Sequence, residues 1–286
     1  MESRLSQRKS LKANLGSSGF RTKKSLGQNF LVDEGVAQGI VSGSGAEPGD
    51  TVLEIGPGVG SLTRYLLPRV DRVIAVELDR EAIPLLERNT KGLGNLRVIQ
   101  GDILKTDLAE ILEGQEGVKV IANLPYYITS PILMKLLEEG PFLSSITVMV
   151  QKEVGERLCA VPGTKDYGIL TLAVGYYARV EKILDVGKEC FHPVPKVDSV
   201  VMRLIPLPLE ERLPRELEEA YFRLIKGGFA QRRKNLMNSL AAFYGADRDK
   251  VKNFLARGGI AETRRGETLS KEEYMALASL EKELKQ

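Results

Sequence analysis

The sequence predicts an α/β fold, a mainly parallel sheet with helices between its strands, followed by a small helical C-terminal domain. Three observations predict it. Short apolar runs alternate with helically spaced segments over the first two-thirds of the chain. Glycine, acidic or Asn-Pro residues stand where consecutive runs end. Pro206, Pro208 and Pro214 then close the alternation, and beyond them Leu217, Tyr221, Leu224 and Ile225 recur at three and four.

The elements follow in order. Thr51 to Ile55 reads as a buried strand running into Gly56-Pro57-Gly58-Val59-Gly60, and Ser61 to Leu67 has helical spacing. Strand, glycine loop and helix form a nucleotide-binding corner in which a Cβ would block the backbone's approach to a ligand. The dinucleotide pattern G-x-G-x-x-G is not met, because Ser61 stands where the third glycine belongs. Glu54, two positions before the loop, suits a ligand carrying an ammonium and a sulfonium better than a pyrophosphate, which it would repel. A second strand, Arg72 to Asp79, carries Glu77, placed to accept ribose hydroxyls. A third, Leu96 to Ile103, has Asp102 at its tip. Each acid alone would equally be a solvated strand end. In series they fall at carboxyl ends of consecutive strands, where open α/β sheets bind ligands.

The fourth strand, Val120 to Asn123, breaks into Asn123-Leu124-Pro125-Tyr126. Asn123 offers an amide oxygen, Pro125 biases Leu124 to an extended conformation that presents its carbonyl, and Tyr126 offers a flat face. Two acceptors and a plate suit an extruded adenine presenting N6. A strand end, a Pro turn and a packed aromatic would give the same four residues. Further on, Ser130 and Pro131 start a helix. Ile146 to Val150 is a buried strand, and Lys152 to Ala160 a charged helix. Val180–Val186 and Val197–Ile205 form an antiparallel pair at the sheet edge, joined by Phe191-His192-Pro193 over the site's mouth.

The 286 residues suffice for one substantial core plus a smaller domain. No apolar run approaches the length of a membrane span. Cys159 and Cys190 have no metal-like spacing and read as reduced thiols of a cytoplasmic protein. A single histidine, His192, leaves no histidine-based metal site or triad to expect. Net charge is only +3, so its distribution matters more than its sum. Arg4, Arg8, Lys9, Lys12, Arg21, Lys23 and Lys24 form a basic, flexible leader over residues 1–24, whose acid-poor character also fits a mitochondrial transit peptide. Arg232-Arg233-Lys234 is a second basic run, suited to RNA phosphates or equally to a solvated helix face.

The chain resembles the S-adenosylmethionine-dependent rRNA adenine N6,N6-dimethyltransferases of the KsgA branch, with the macrolide-resistance Erm methylases as cousins. The resemblance is near full length. It rests on Lys23 to Leu31, the Glu54 to Gly60 loop, Glu77, Asp102, Asn123 to Tyr126, and Phe191-His192-Pro193-Val194-Pro195-Lys196-Val197-Asp198-Ser199. It implies a Rossmann-like class I methyltransferase domain over 25–205 and a helical RNA-contacting domain over 206–286. The implied cofactor is S-adenosylmethionine. Asn29 and Leu31 would line its methionine end, Gly56 would give backbone access, Glu77 would hold the ribose, and Asp102 would accept from the adenine amine. Gln28, Glu54, Gly58, Gly60, Leu78 and Ile103 complete that site. Asn123 and Leu124 would act near the methyl beside Pro125, with Tyr126 and Phe191 stacking on the target base.

The implied reaction dimethylates two adjacent adenines in the 3′-terminal hairpin loop of small-subunit rRNA, on an assembling particle and by a monomer. Arg232, Arg233 and Lys234 would hold the RNA. Tyr127, Ile128-Thr129-Ser130-Pro131 and Lys23 to Gly27 look more like the small-subunit enzymes than Erm, which would modify the large subunit. A DNA adenine methyltransferase would grip N6 in the same way but usually carries a larger target-recognition region. A non-catalytic ribosome-assembly protein on this scaffold would have no need of Glu77, Asp102 and Asn123.

Overall fold

The structure, a computed structural model, describes residues 22–23, 26–231 and 233–285. Apart from Thr22 and Lys23, the expected leader therefore lies outside the described residues, as does Arg232. A two-residue strand β1 (Phe30–Leu31) precedes α1 (Glu34–Gly43), whose N-cap Asp33 accepts from the Val36 N–H. Then β2 (Thr51–Ile55), α2 (Thr63–Leu66), β3 (Arg72–Glu77), α3 (Ile83–Thr90), β4 (Leu96–Gln100), α4 (Leu108–Leu112), β5 (Val118–Asn123) and α5 (Thr129–Glu139) alternate. Beyond them come β6 (Leu143–Gln151), α6 (Lys152–Leu158), α7 (Ile169–Tyr177), β7 (Ala178–Val186), β8 (Phe191–His192) and β9 (Ser199–Pro206).

The main sheet has the order β4-β3-β2-β5-β6-β9-β7. Strands β4, β3, β2, β5 and β6 run parallel to one another, and β9 is antiparallel to β6. Because β2 and β3 are covered on both faces, almost every residue in them is buried and their sequences read as continuous apolar runs. β9 and β7 are neighbours, as expected, with β7 at the edge and β9 inside it. Separately, β1 pairs antiparallel with β8, setting Leu31 opposite Phe191 and Phe30 opposite His192. The order β3-β2-β5 puts the carboxyl ends of β2 and β5 side by side, with the end of β3 next to β2.

The chain divides into two compact units. One holds the described residues up to Gly155 together with Val180–Pro206; the other holds Glu156–Arg179 and the described residues from Leu207 onward. This differs from a contiguous boundary at 205/206, because α7 belongs with the C-terminal helices. Six of the nine residues of α7 are buried, so it shows no amphipathic stripe to read. It is held by Tyr221, whose hydroxyl donates to the Leu172 carbonyl at 3.0 Å and whose ring stacks on Tyr176 with centroids 4.8 Å apart.

The second unit continues with α8 (Arg215–Phe229), α9 (Leu236–Tyr244), α10 (Arg248–Arg257), α11 (Lys271–Ala278) and α12 (Lys282–Lys285). Local signals set their ends. Asn235 caps α9 by accepting from the Asn238 N–H, Gly245 terminates it at φ +64°, and Ser270 and Glu273 form a reciprocal capping box on α11. No helix among the described residues is long and apolar enough to cross a membrane.

The turn before α11 is packed backbone to backbone. A Cβ on Gly266 would stand 2.4 Å from the Gly228 carbonyl oxygen, and Tyr274 donates to the Gly266 carbonyl at 3.1 Å. Gly266→Ala should therefore cost about 1–3 kcal/mol by overpacking. Chemical denaturation of the two proteins measures it, and an unchanged midpoint would contradict this close approach.

Candidate active site

The glycine loop after β2 is shaped by what its residues lack. Gly56 sits at φ +64°, and a Cβ there would project into open space beside a pocket. Gly58, at φ +58°, would bring a Cβ to 2.7 Å from the Phe30 ring, so only glycine lets that ring pack on the loop. Asn89 of α3 ties the loop from behind, donating to the Val59 carbonyl at 2.8 Å.

At the end of β3, Glu77 joins this loop to the next. Its carboxylate accepts from the Gly58 N–H at 2.8 Å and from the Asp79 N–H at 2.7 Å. Burial raises its pKa above the ordinary carboxylate value, and those two backbone donors act against the rise. Asp102, past the end of β4, accepts from the Leu104 N–H at 3.0 Å in a turn.

Across from the acids, Asn123 ends β5. Its Nδ2 donates to the Asn29 carbonyl at 3.1 Å, an assignment that makes Oδ1 the acceptor arm of the amide. Leu124 is anchored by its N–H to the Met149 carbonyl at 3.2 Å and by a buried side chain. Pro125 has φ −60° and ψ 127°, and its carbonyl accepts from Ile128 N–H and Thr129 Oγ1 at the start of α5. The Tyr126 hydroxyl lies 2.6 Å from Ser199 Oγ, which fixes the ring's edge; burial raises this phenol's pKa.

These elements border one pocket, whose empty space of about 790 Å³ runs out into open solvent. Of the expected cofactor residues, Gln28, Asn29, Gly56, Gly58, Glu77, Leu78, Asp102 and Ile103 line it. So do Asn123, Leu124, Pro125 and Tyr126. Four expected residues do not. Leu31 and Phe191 face each other in the β1–β8 pair and are buried in the core with Ile40 and Val201, so the Phe191 ring, 0% exposed, is not a plate at the pocket. Gly60 packs under α3, where a Cβ would meet Leu86 and Thr90. Glu54 is buried within β2, behind the loop rather than in the lining.

Sequence reasoning missed Leu26, Gly27 and Phe30, which flank expected residues on the same segment, and Ile128 and Ile132, which follow from a helix starting right after the Pro turn. Tyr127, used only to separate family branches, lines the pocket while 56% exposed. Arg233 and Lys234 are exposed in the second unit, ahead of α9.

The electrostatics are one-sided. Among the described residues the lining holds two carboxylates, Glu77 and Asp102, and no Lys or Arg. Behind it, burial pushes the Glu54 carboxyl up to about 8, with the neighbouring Glu77 adding to the rise and Thr63 opposing it. Glu54 Oε2 and the Ser61 and Thr63 hydroxyl oxygens are buried without hydrogen-bond partners. Such a site favours a cation with a polar, hydroxyl-bearing body and repels a pyrophosphate. No group of three His, Cys, Asp or Glu among the described residues could hold a metal ion.

Comparison with known proteins agrees with this geometry. The chain is 46% identical over 264 residues to Ribosomal RNA small subunit methyltransferase A of Alkaliphilus oremlandii, covering 91% of this chain and 92% of that one. Its fold superposes on a dimethyladenosine transferase from Plasmodium falciparum with a TM-score of 0.71 at 28% identity, covering 85% of this chain and 94% of that one. It superposes on the 23S rRNA methyltransferase ErmE with a TM-score of 0.68 at 29% identity, covering 90% and 100%. The family described as Ribosomal RNA adenine dimethylase matches residues 19–283, nearly the whole sequence. With a glycine loop, two strand-end acids and an Asn-Leu-Pro-Tyr turn around one pocket, this chain belongs to the ribosomal RNA adenine dimethylase family.

Proposed function

We propose that the chain transfers methyl groups from S-adenosylmethionine to N6 of two adjacent adenines in the 3′-terminal hairpin loop of small-subunit rRNA, giving N6,N6-dimethyladenosine. The reaction belongs to small-subunit biogenesis in the cytoplasm and is carried out by a monomer. The observation that carries this reading is the pocket's lining, which holds Glu77 and Asp102 with no cation and, from the end of β5, Asn123 and Leu124. The similarity to a small-subunit enzyme at 46% identity favours that ribosomal subunit over the large one.

The residues present fit the cofactor. Glu77 and Asp102 would take its ribose hydroxyls and adenine amine, with Leu78 and Ile103 against the purine. Gly56, which has nothing within 4 Å of a would-be Cβ, leaves room for its chain. When bound, the cofactor supplies a methyl made electrophilic by a sulfonium. The chain's own work is on the target amine, whose lone pair is delocalised into the purine ring. Asn123 Oδ1 and the Leu124 carbonyl accept its two hydrogens and draw the nitrogen toward a pyramidal shape. Both bonds strengthen as positive charge develops on N6, which then loses a proton to solvent. The second methyl transfer proceeds with one hydrogen left to grip. Tyr126, held by Ser199, offers the stacking face.

Mass spectrometry of undermethylated small-subunit rRNA after incubation with protein and cofactor should show two dimethyladenosines. Methyl incorporation confined to large-subunit rRNA would overturn the proposal in favour of an Erm-type activity. Asn123→Ala should lower turnover by about 10²–10³-fold, the cost of removing one preorganised transition-state contact. Its cofactor affinity should stay within a few-fold, and a turnover near wild type would eliminate the grip. Glu77→Ala should weaken cofactor binding by about 1.5–3 kcal/mol, and Glu77→Gln by less because one acceptor survives; calorimetry reads both.

Glu54 gives a pH signature. Its carboxyl ionises near 4.5 when unfolded and about 8 when folded, so the folded state holds its proton more tightly. The resulting stability is complete below the unfolded pKa and is lost as pH rises through the folded one. Unfolding curves of wild type and Glu54→Gln should diverge across that window by ~1.4 kcal/mol per pH unit, with wild type falling. Parallel curves would show Glu54 ionised in the folded protein.

A further inference from the structure

Asp79 follows Glu77 by two residues, is 2% exposed and does not line the pocket, yet it gathers the segment that does. Its carboxylate accepts from Gln28 Nε2 at 2.7 Å, from Lys23 Nζ at 2.8 Å and from the Glu81 N–H at 3.1 Å, while its own N–H donates to Glu77. Gln28 uses both ends of its amide here, since Oε1 accepts from the Lys23 N–H at 2.7 Å. One residue on, Asn29 Nδ2 donates to the Gly27 carbonyl at 3.0 Å, and the Asn29 carbonyl accepts from Asn123 Nδ2 at 3.1 Å. A continuous chain of hydrogen bonds and short backbone steps thus runs from Glu77 through Asp79, Gln28 and Asn29 to Asn123.

We propose that Asp79 is a positioning residue for methyl transfer: it fastens residues 26–30 along the pocket and, through the Asn29 carbonyl, sets which way the Asn123 amide faces. This role rests on the methyl-transfer reading above. The terminal torsion of an asparagine is broad and nearly two-fold, so an amide without a fixed partner samples both orientations. Turned over, Asn123 would present its NH₂ to the N–H groups of the target amine, donor against donor. The Asn29 carbonyl, available only while the segment is held, removes that orientation. Lys23 shares in the fastening. Its side chain is 36% exposed, and it meets the same buried carboxylate as Gln28.

The test uses the full chain, S-adenosylmethionine and undermethylated small-subunit particles. Asp79→Ala should speed hydrogen exchange at residues 26–31 and lower kcat at saturating cofactor by tenfold or more. Asp79→Asn, whose carbonyl still accepts from Gln28, should recover at least a third of wild-type kcat. In an Asn123→Ala background Asp79→Ala should lower kcat no further, because the two residues act as one unit. Overturning results would be a kcat unchanged at saturating cofactor with only cofactor affinity lost, or the same tenfold loss with Asn123 already removed. Should Asp79→Ala fail to fold, Gln28→Ala takes its place in each measurement, and the same results support or overturn the role of Asp79. A wild-type protein that methylates no small-subunit rRNA would sink the functional reading instead, while exchange at residues 26–31 would still report whether Asp79 holds the segment.

Discussion

The pocket depends on a carboxylate buried at the end of a central parallel strand. Glu77 accepts from the backbone of the glycine loop at Gly58 and from the backbone of its own following turn at Asp79. Two loops that leave adjacent strands, β2 and β3, are thereby held to one point, and their N–H groups find a partner where the sheet's own ladder has ended. Desolvation works against the arrangement, as the raised pKa of Glu77 shows, and the backbone donors offset part of it. A carboxylate in this setting gains further from any cation or hydroxyl that enters the pocket. The resting structure is therefore already organised for a ligand of that chemistry.

The opposite wall solves a different problem with a different group. At position 123 an aspartate would also accept hydrogen bonds. It would also add a third carboxylate to a wall facing Glu77 and Asp102, and it would attract a sulfonium or take up a proton instead of gripping an amine. Asparagine supplies an acceptor of fixed direction without charge, at the cost of an amide that must be told which way to face. In the structure the Asn29 carbonyl fixes that direction by accepting from Asn123 Nδ2.

What the sequence made legible were the features whose causes are local. The glycine loop, Glu77 and the Asn-Leu-Pro-Tyr turn each stand at the end of a continuous apolar run that reads as a buried strand, Asp102 follows the partly exposed edge strand β4, and all of them line or shape the pocket. What escaped were pairings across long stretches of chain. Phe191 reads as an exposed plate beside His192 and Pro193, but its position is decided by Leu31, which draws it into the core. Leu31 leaves the pocket for the same reason. Glu54 reads as a ligand group, yet it is buried in β2 and does not line the pocket. The Gln28 to Asp79 bond spans 51 residues and has no periodic signature. Helix α7 is apolar on nearly all sides, so its membership of the second unit could be decided only by the aromatic residues of α8 that meet it.

An acid-lined site poses a problem for an enzyme acting on RNA, because the substrate backbone is a polyanion. Among the described residues the pocket offers that backbone no cation, and a net charge of +3 gives the whole molecule little long-range pull. Exposed cations stand elsewhere on the chain, Arg233 and Lys234 among them. Only a neutral, extruded base would cross into the acidic interior, where it meets uncharged acceptors and an aromatic face. This separation filters the substrate. A paired adenine has N6 engaged and cannot reach Asn123, whereas a loop adenine loses little stacking or pairing on entering. The same negative potential that excludes phosphate from the pocket would then hold the cationic methyl donor in place.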